Sequence, residues 1–368
     1  MRRIPILRGA TVGACVFAGL FALSVLGGSA TSYFGQTDQA WTDLVVSKYG
    51  LAIAGFQGWI LLLHMALGMT LGVAVAVSRQ SLFGRSSAAG DALGTLGIHG
   101  LVLTWGVHRR PAAYAQWLWE QDGIGAWLQR VVTDVMPGWL TAGLLLAAAI
   151  VLLWGLRPAP KTAMAIGLTL AGLIAYDWVG PLPSAAPTLD RPHLIIIGVD
   201  SLRADRLGPD GPAPNITAQA QSGETWERAI VPLARTFPSW VSLLTGKLPP
   251  EHGVRHMFPS PETLAALPKA LPARLKDAGW RTAVVGDYAG DIFSRWDAGF
   301  EVCAVPGFDL GTIVRMRGLG IHHHLLPYLD HRFGRQMFED LRALADFTDP
   351  EDVVDRALST FVELASGG

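Results

Sequence analysis

The chain has 368 residues, a formal net charge of −1 and only two cysteines, and half of its residues are hydrophobic whereas 16% are charged. This charge balance provides no basic field for gripping nucleic acid, and Cys15 and Cys303 are too few and too far apart in sequence for a disulfide scaffold or a cysteine zinc site. The charges are unevenly placed: residues 1–190 hold 11 Lys/Arg and 8 Asp/Glu, and the remaining 178 residues hold 18 and 22. The first half is therefore typical of a membrane domain and the second of an ordinary globular domain.

Stretches without charged residues predict five membrane helices, at 10–30, 51–77, 91–108, 137–156 and 162–178. A spanning helix needs about 20 apolar residues, so the first, second and fourth stretches qualify and the third is at the limit. The fifth spans only if Asp177 and Trp178 lie at the interface, where tryptophan is favoured. The run Ala10–Ser29 also fits a cleaved signal peptide.

Loop charges predict the orientation of these helices. With the N-terminus inside, the inner segments carry seven Lys/Arg and the outer loops four, which is the expected bias. We therefore expect a multi-pass protein of the cell (inner or cytoplasmic) membrane whose residues after about 180 are extracytoplasmic. Removal of a signal peptide would leave four spans and the same final side.

Other features of the membrane half allow two interpretations each. Pro111–Gly138, rich in tryptophan, is either an interfacial helix or a loop with aromatic anchors. His64 and His99 fall within predicted spans, where an ionisable group suggests function, although we favour neutral histidines bonded across helices. Prolines mark Gly180–Asp190 as a linker, which divides the chain into a transmembrane domain, 1–180, a linker, 181–190, and an outer domain, 191–368.

The outer domain begins with a predicted site. His193–Val199 is an apolar, β-branched run typical of a buried parallel strand, and it ends at Asp200, where α/β sheets place their ligands. Pro238 and the apolar spacing after it predict a helix that starts just after Thr236, so Thr236 lies where free amides and the helix dipole favour an anion. The simpler alternatives are that Asp200 caps a turn and Thr236 caps the helix.

Four blocks follow one another in order: VDSLRADRLG (199–208), PNITAQAQSGETWERA (214–229), TFPSWVSLLTGKLPPEHGVRH (236–256) and LPARLKDAGWRTAVVGD (271–287). Together they resemble the N-terminal half of the catalytic domain of the sulfatase/alkaline-phosphatase superfamily, over about 191–305. Five preceding membrane helices are similar to the architecture of lipoteichoic acid synthases and phosphoethanolamine transferases. The resemblance implies an extracytoplasmic α/β domain with a mainly parallel sheet.

The resemblance also implies roles for particular residues. Asp200 corresponds to a metal ligand and Thr236 to the nucleophile, which also contacts the metal; the divalent ion is zinc, manganese, magnesium or calcium. Threonine cannot be oxidised to the formylglycine of sulfatases proper, which argues against that chemistry. Candidate contacts to a phosphoryl oxygen are Lys247, His252, Arg255 and His256. Met257 replaces an asparagine of the nucleotide pyrophosphatase type, and Asp287 stands where sulfatases carry a lysine; both departures weigh against those subgroups.

The sequence thus predicts a membrane-anchored metalloenzyme that uses Thr236 to transfer a phospho-substituent from a lipid head group. The alternatives are a hydrolase of sulfate or phosphate esters and a catalytically incomplete membrane scaffold. The expected partners are a lipid or glycan phosphate ester and the membrane, not nucleic acid.

The superfamily's later ligands, an Asp-His pair and a further histidine, have no counterpart before Gly368. We therefore expect an apparently truncated catalytic domain that ends with a helix at Pro350–Ala365, or one that a second chain completes. His322–His324 cannot all face one ion, so no more than two of them are candidate ligands, and we favour a contact to the acceptor or substrate.

Overall fold

The structure is a computed structural model, and it describes residues 3–27, 39–84, 87–111, 113–114, 124–157, 193–208, 211–226, 228–307, 309–338 and 350–366, together with positions 164, 168 and 172. The chain forms two compact units. The first unit combines Met1–Leu182 with Phe308–Asp352, and the second combines Pro183–Gly307 with Val353–Gly368. Phe308–Asp352, which carries none of the four sequence blocks, thus belongs to the first unit.

Long helices build the first unit. Their bounds are α1 Arg3–Gly27, α2 Gln39–Phe83, α3 Ala88–Arg109, α4 Ile124–Val135 and α5 Gly138–Gly155. Among the described residues, three helical stretches are long and apolar enough to cross a membrane: Pro5–Leu26, Ser47–Phe83 and Gly138–Gly155. These helices support association with a membrane.

The five predicted spans are therefore confirmed in part. The third forms helix α3 but does not reach the apolarity of a span, because its buried side carries Asp91, Thr95, His99 and Thr104. The fifth, 162–178, lies outside the described residues apart from single positions. Within Pro111–Gly138, helix α4 is described, and it exposes an apolar stripe of Trp127, Leu128, Val131, Val132 and Val135.

Glycines allow α1 and α2 to approach backbone to backbone. Gly9 and Gly13 in α1 face Gly68 and Gly72 in α2, and a Cβ added to Gly13 would lie 1.9 Å from the Gly68 carbonyl oxygen. A Cβ added to Gly72 would lie 2.2 Å from the Gly9 oxygen. Both pairs have the G-x-x-x-G spacing that lets apolar helices pack closely.

A buried carboxylate joins three helices at the start of α3. Asp91 is fully buried, and its oxygens lie 3.0 Å from Arg8 Nε in α1 and 3.4 Å from Arg79 Nε in α2. A carboxylate in the first turn of a helix also has a favourable interaction with the helix dipole.

The returning segment consists of short helices: α12 Leu310–Gly320, α13 Leu326–Leu329 and α14 Arg332–Met337. Leu319, Leu325 and Leu326 share one buried cluster with residues of α2 and α3, namely Ile60, Leu103 and Val107. Asp330 is bound by two guanidinium groups, at 2.7 Å from Arg110 and 2.8 Å from Arg335. Apolar burial and this ionic network hold the segment on the long helices.

The second unit contains short helices and a small sheet. Its helices are a 3₁₀ turn at Ala204–Arg206, α6 Pro214–Ser222, α7 Thr236–Thr245, α8 Pro249–His252, α9 Pro261–Ala265, α10 Leu271–Asp277, a 3₁₀ turn at Tyr288–Asp291, α11 Ile292–Arg295 and α15 Pro350–Ser366. Strands β1 Ala283–Val285 and β2 Val302–Ala304 pair in parallel, with Val284 opposite Cys303. The parallel pairing agrees with the expected sheet type. Helix α15 confirms the predicted terminal helix.

The predicted buried strand at His193–Val199 is wrong for the described structure. Its residues belong to no strand, and their side chains are exposed, up to 84% for Ile197. The indole ring of Trp240 packs against Gly198, since a Cβ added to Gly198 would lie 2.5 Å from that ring. A buried parallel strand needs neighbours on both edges and cover on both faces, and the described sheet has only two strands of three residues.

Candidate active site

Helix α7 positions the predicted nucleophile. Thr236 is its first residue, Arg235 before it is extended, and Pro238 in the first turn fits the helical backbone. The buried side chains of Phe237, Val241 and Leu244 anchor the helix in the core of the second unit. The predicted helix start is confirmed, and Thr236 itself stays partly exposed at its N-terminus.

The structure brings the two predicted central residues together. The Thr236 hydroxyl donates a hydrogen bond of 3.2 Å to Asp200 Oδ1, across 36 positions of sequence. Asp200 is exposed, so its side chain is accessible to solvent and to a ligand.

Ser201, which the sequence argument did not single out, completes this corner. It is the one non-glycine residue with positive φ (57°) in the described chain, and its hydroxyl lies 3.5 Å from Asp200 Oδ2. Left-handed backbone costs a non-glycine residue about 1–2 kcal/mol, and such strain is concentrated at functional sites. The sequence signal was its place directly after the strand-like run and Asp200.

The helix terminus offers fewer amides than the predicted anion site assumes. Pro238 has no N–H, and the amide of Phe237 donates to the sulfur of Met257 at 3.4 Å. This leaves the amide of Thr236 in the first turn beside the hydroxyl. The Met257 sulfur therefore binds one of the free amides of this helix terminus, a role that its sequence position did not indicate.

His252 lies in the interior rather than at the surface. Its Nδ1 accepts a 3.1 Å bond from the Val254 amide, which places its proton on Nε2, 3.0 Å from the Ser242 hydroxyl. Burial lowers the pKa of this imidazole, so it is neutral at pH 7. The geometry gives His252 a role in holding helix α8 against α7.

The other predicted substrate contacts lie at the surface. Lys247 pairs with Glu251 at 3.1 Å, and the ring of His256 accepts the Phe258 amide at 3.3 Å. Arg255 is exposed beside them. The structure gives no contact between these three side chains and Thr236 or Asp200.

Asp287, which stands in place of a sulfatase lysine, has a structural partner. Its buried carboxylate pairs with Arg356 of helix α15, and Arg356 also donates to the Ala304 carbonyl at 3.4 Å. The pair ties the last helix to the ends of β1 and β2.

The oxygen donors at the site suit a divalent metal, since a carboxylate and a hydroxyl are the hard ligands that magnesium, manganese or calcium prefer. Asp200 and Thr236 are the two residues that would hold it. Across the described ranges, no group of three or more His, Cys, Asp or Glu is arranged to hold a metal. Two oxygens are a partial coordination sphere, so the remaining ligands have to come from groups outside this pair.

One family model matches part of the second unit. Residues 194–279 match the model of the type I phosphodiesterase / nucleotide pyrophosphatase family. No curated protein and no solved structure matches the chain.

This match covers both Asp200 and Thr236 and supports an enzyme of the phosphoester hydrolase or transferase type. The expectation from Met257 is thereby corrected: its presence in place of an asparagine argues against the nucleotide pyrophosphatase type, yet that is the family whose model matches. The absent asparagine is a single position, whereas the match rests on 194–279 as a whole. Sulfatase-type assignment has no specific support from the match, and neither has the lipoteichoic acid synthase or phosphoethanolamine transferase architecture.

Proposed function

We propose that this protein is a membrane-anchored enzyme that cleaves phosphate esters with Thr236 as its nucleophile. The observation that carries the proposal is the 3.2 Å bond between the Thr236 hydroxyl and Asp200, at a helix N-terminus within the matched region. A hydroxyl needs a partner that takes its proton, and a helix N-terminus favours the phosphoryl anion.

The chemistry has two displacements. Thr236 Oγ1 bonds to phosphorus, its proton passes to Asp200, the ester P–O bond breaks, and the departing oxygen is protonated by solvent. A water or an acceptor hydroxyl then loses its proton to solvent and bonds to phosphorus, the P–Oγ1 bond breaks, and Asp200 returns its proton to Thr236 Oγ1. A bound divalent ion would supply charge neutralisation for the phosphoryl oxygens.

We propose a lipid or glycan phosphate ester as the substrate, because three candidate spanning helices would keep the enzyme where such esters are presented. Water as the acceptor makes it a hydrolase, and a lipid or glycan hydroxyl makes it a transferase. Measurement of the released phosphomonoester (or of free phosphate, from a monoester substrate) against labelled transfer product in mixed micelles separates the two.

The decisive experiment uses Thr236→Ala, Thr236→Ser and the control Thr225→Ala in the full-length protein. Thr225 is an exposed threonine whose hydroxyl bonds only locally, to the Ala220 carbonyl at 3.3 Å. With a nitrophenyl phosphodiester, we expect Thr236→Ala to lose at least about 100-fold in turnover and all covalent phosphoenzyme, since it removes a nucleophile. Thr236→Ser should retain the covalent intermediate, and Thr225→Ala full activity. Unchanged turnover in Thr236→Ala would refute the assignment.

Completion of the site by a second polypeptide is a separate possibility from the scaffold alternative, and one observation favours it. Leu194, Ile195 and Ile197 expose more than half of their surface next to Asp200. We infer that a chain lacking such a partner binds divalent metal weakly. Metal analysis after dialysis tests this: a stoichiometric ion held by the purified chain would argue against the need for a partner.

A further inference from the structure

Histidines from distant parts of the sequence converge in the first unit. His64 lies in α2 and His99 in α3, and His322, His323 and His324 form the turn after α12. Five of the ten histidines of the chain thus share one cluster. His64, His99, His322 and His323 are buried, with exposures of 0%, 3%, 0% and 8%.

Hydrogen bonds link the returning segment to both long helices through these rings. His322 Nε2 lies 2.7 Å from Gln57 Oε1 of α2. On α3, His99 is bonded at both ring nitrogens, to His324 at 3.2 Å and to the Tyr328 hydroxyl at 3.1 Å.

Two ring nitrogens hold buried lone pairs. His64 Nδ1 donates to the Ile60 carbonyl at 2.9 Å, so its Nε2 carries the lone pair. Likewise, the Nε2–H of His322 donates to Gln57, which leaves the lone pair on Nδ1. Both of these nitrogens are buried without a hydrogen-bond partner among the described residues, and the two rings lie 5.3 Å apart. The ring of Phe21 packs against both imidazoles, with its centroid 5.5 Å from that of His64 and 5.0 Å from that of His322.

The surroundings of the cluster keep it neutral. Burial lowers the pKa of His322 and of His323 to about 3 and holds that of His324 well below its ordinary value; the neighbouring imidazoles are the next cause. Among the facing groups, Gln57 has no charge, Phe17 and Phe21 of α1 are apolar, and burial raises the pKa of the Tyr328 hydroxyl, which therefore stays protonated. Asp330, the nearest acid along the segment, is already paired with Arg110 and Arg335.

We propose that this histidine cluster is a proton-binding site that holds residues 309–338 on the long helices while its imidazoles are neutral and releases them in acid. Metal binding is the rival use of buried imidazoles. The cluster provides no group of three ligands with the required arrangement in the described chain.

The sign follows from proton linkage. In the docked state His322–His324 stay neutral, whereas a released imidazole titrates near pH 6.5. Docking is therefore fully favoured above that pH and weakens as the pH falls below it, because the released state binds more protons. At pH 5 each histidine that titrates on release changes the docking equilibrium by about 30-fold, and the three together by roughly 10⁴.

Hydrogen exchange of the full-length protein in detergent micelles tests the proposal. The reporters are the amides of Leu325 and Leu326, bonded to the His322 carbonyl, and of Asp330, bonded to Leu326. After correction for intrinsic exchange rates, we expect their opening constant to rise at least about 25-fold between pH 7 and pH 5, since one proton taken up suffices for that change. Amides of α5 should keep their protection. An opening constant equal at both pH values would overturn the proposal, and so would a uniform loss of protection that included α5.

Variants assign the effect to the cluster. His322→Gln keeps an N–H near Gln57 but cannot titrate, so the ratio of the opening constants at pH 5 and pH 7 should be about 25-fold smaller than in the natural protein. His256→Gln, an exposed ring in the second unit, is the matched control and should behave as the natural protein. If His322→Gln does not dock at pH 7, His324→Asn replaces it, because the asparagine amide can retain a bond to His99. Full pH dependence in the docked variant would contradict the proposal.

Discussion

At the scale of single residues, the second unit places its polar groups in two classes. Thr236, Asp200 and Ser201 meet at a solvent-accessible corner, whereas His252 and Asp287 use their polar atoms inside the unit. Accessibility to a ligand therefore separates the candidates for chemistry from the residues that hold the elements together.

Ser201 allows backbone strain to be separated from hydroxyl chemistry. Ser201→Gly relieves the left-handed conformation and should stabilise the second unit by about 1 kcal/mol, whereas Ser201→Ala keeps the strain and removes only the hydroxyl. Denaturant unfolding of both variants measures the difference. Equal stability of the glycine and alanine variants would show that the position carries no strain.

His252 should make the second unit acid-sensitive. Its pKa is lowered by burial, so its contribution to stability is present above about pH 6.5 and is lost as the pH falls below that value. His252→Ala removes the bonds to Ser242 and Val254 and should cost about 1–3 kcal/mol at pH 7. The variant should also show a flatter pH profile in denaturant unfolding; a profile parallel to that of the natural protein would contradict the assigned role.

At the scale of elements, the contact between α1 and α2 depends on glycines that tolerate no side chain. Gly68→Val would force a methyl-bearing carbon into the backbone of Gly13 and should destabilise the first unit by about 1–3 kcal/mol or more. Gly55→Val in the same helix is the control, because nothing lies within 4 Å of its added Cβ. In thermal unfolding in detergent, Gly68→Val should have a lower melting temperature than Gly55→Val. Equal melting temperatures would contradict the prediction.

The elements also show which parts of the structure the sequence could predict. The start of α7 was predictable, because proline position and apolar spacing are local signals. The pairing of Thr236 with Asp200 followed from the family resemblance, since the run before Asp200 forms no strand in the structure. The exposure of His193–Val199 was not, because burial of a strand depends on neighbours that the run itself does not specify. The paired G-x-x-x-G spacings were visible in the sequence, but their pairing is a long-range fact.

The histidine cluster is the clearest case of such a limit. The sequence indicated that three consecutive histidines cannot all face one ion, and it favoured neutral bonded rings for His64 and His99. It had no means to bring His322–His324 to α2 and α3, because about 220 or more residues separate the bonded partners.

At the scale of the whole molecule, the chain passes between its two units three times. In each unit, residues late in the chain pack on earlier ones: the leucines of α12 and α13 in the first unit, and Arg356, paired with Asp287, in the second. A substitution that removes one of these contacts should lower the stability of its own unit first.

Arg356→Ala tests this independence. It leaves the buried Asp287 carboxylate without this partner and should cost about 3–5 kcal/mol in the second unit only. Limited proteolysis should then cut near α15 while α12–α14 stay protected. Simultaneous cleavage of both regions would show that the units unfold as one.

The return of residues 308–352 to the first unit also sets a waiting time during synthesis. Tyr114 and Ile60 are made roughly 200–270 residues before Leu319 and Leu326, which share their buried cluster in the finished molecule. At 5–20 residues per second, a ribosome needs roughly 10–50 s to supply that cover. During this interval Ile60 and Tyr114 lack part of their apolar cover, so a premature stop before codon 319 would leave that side of the first unit permanently uncovered.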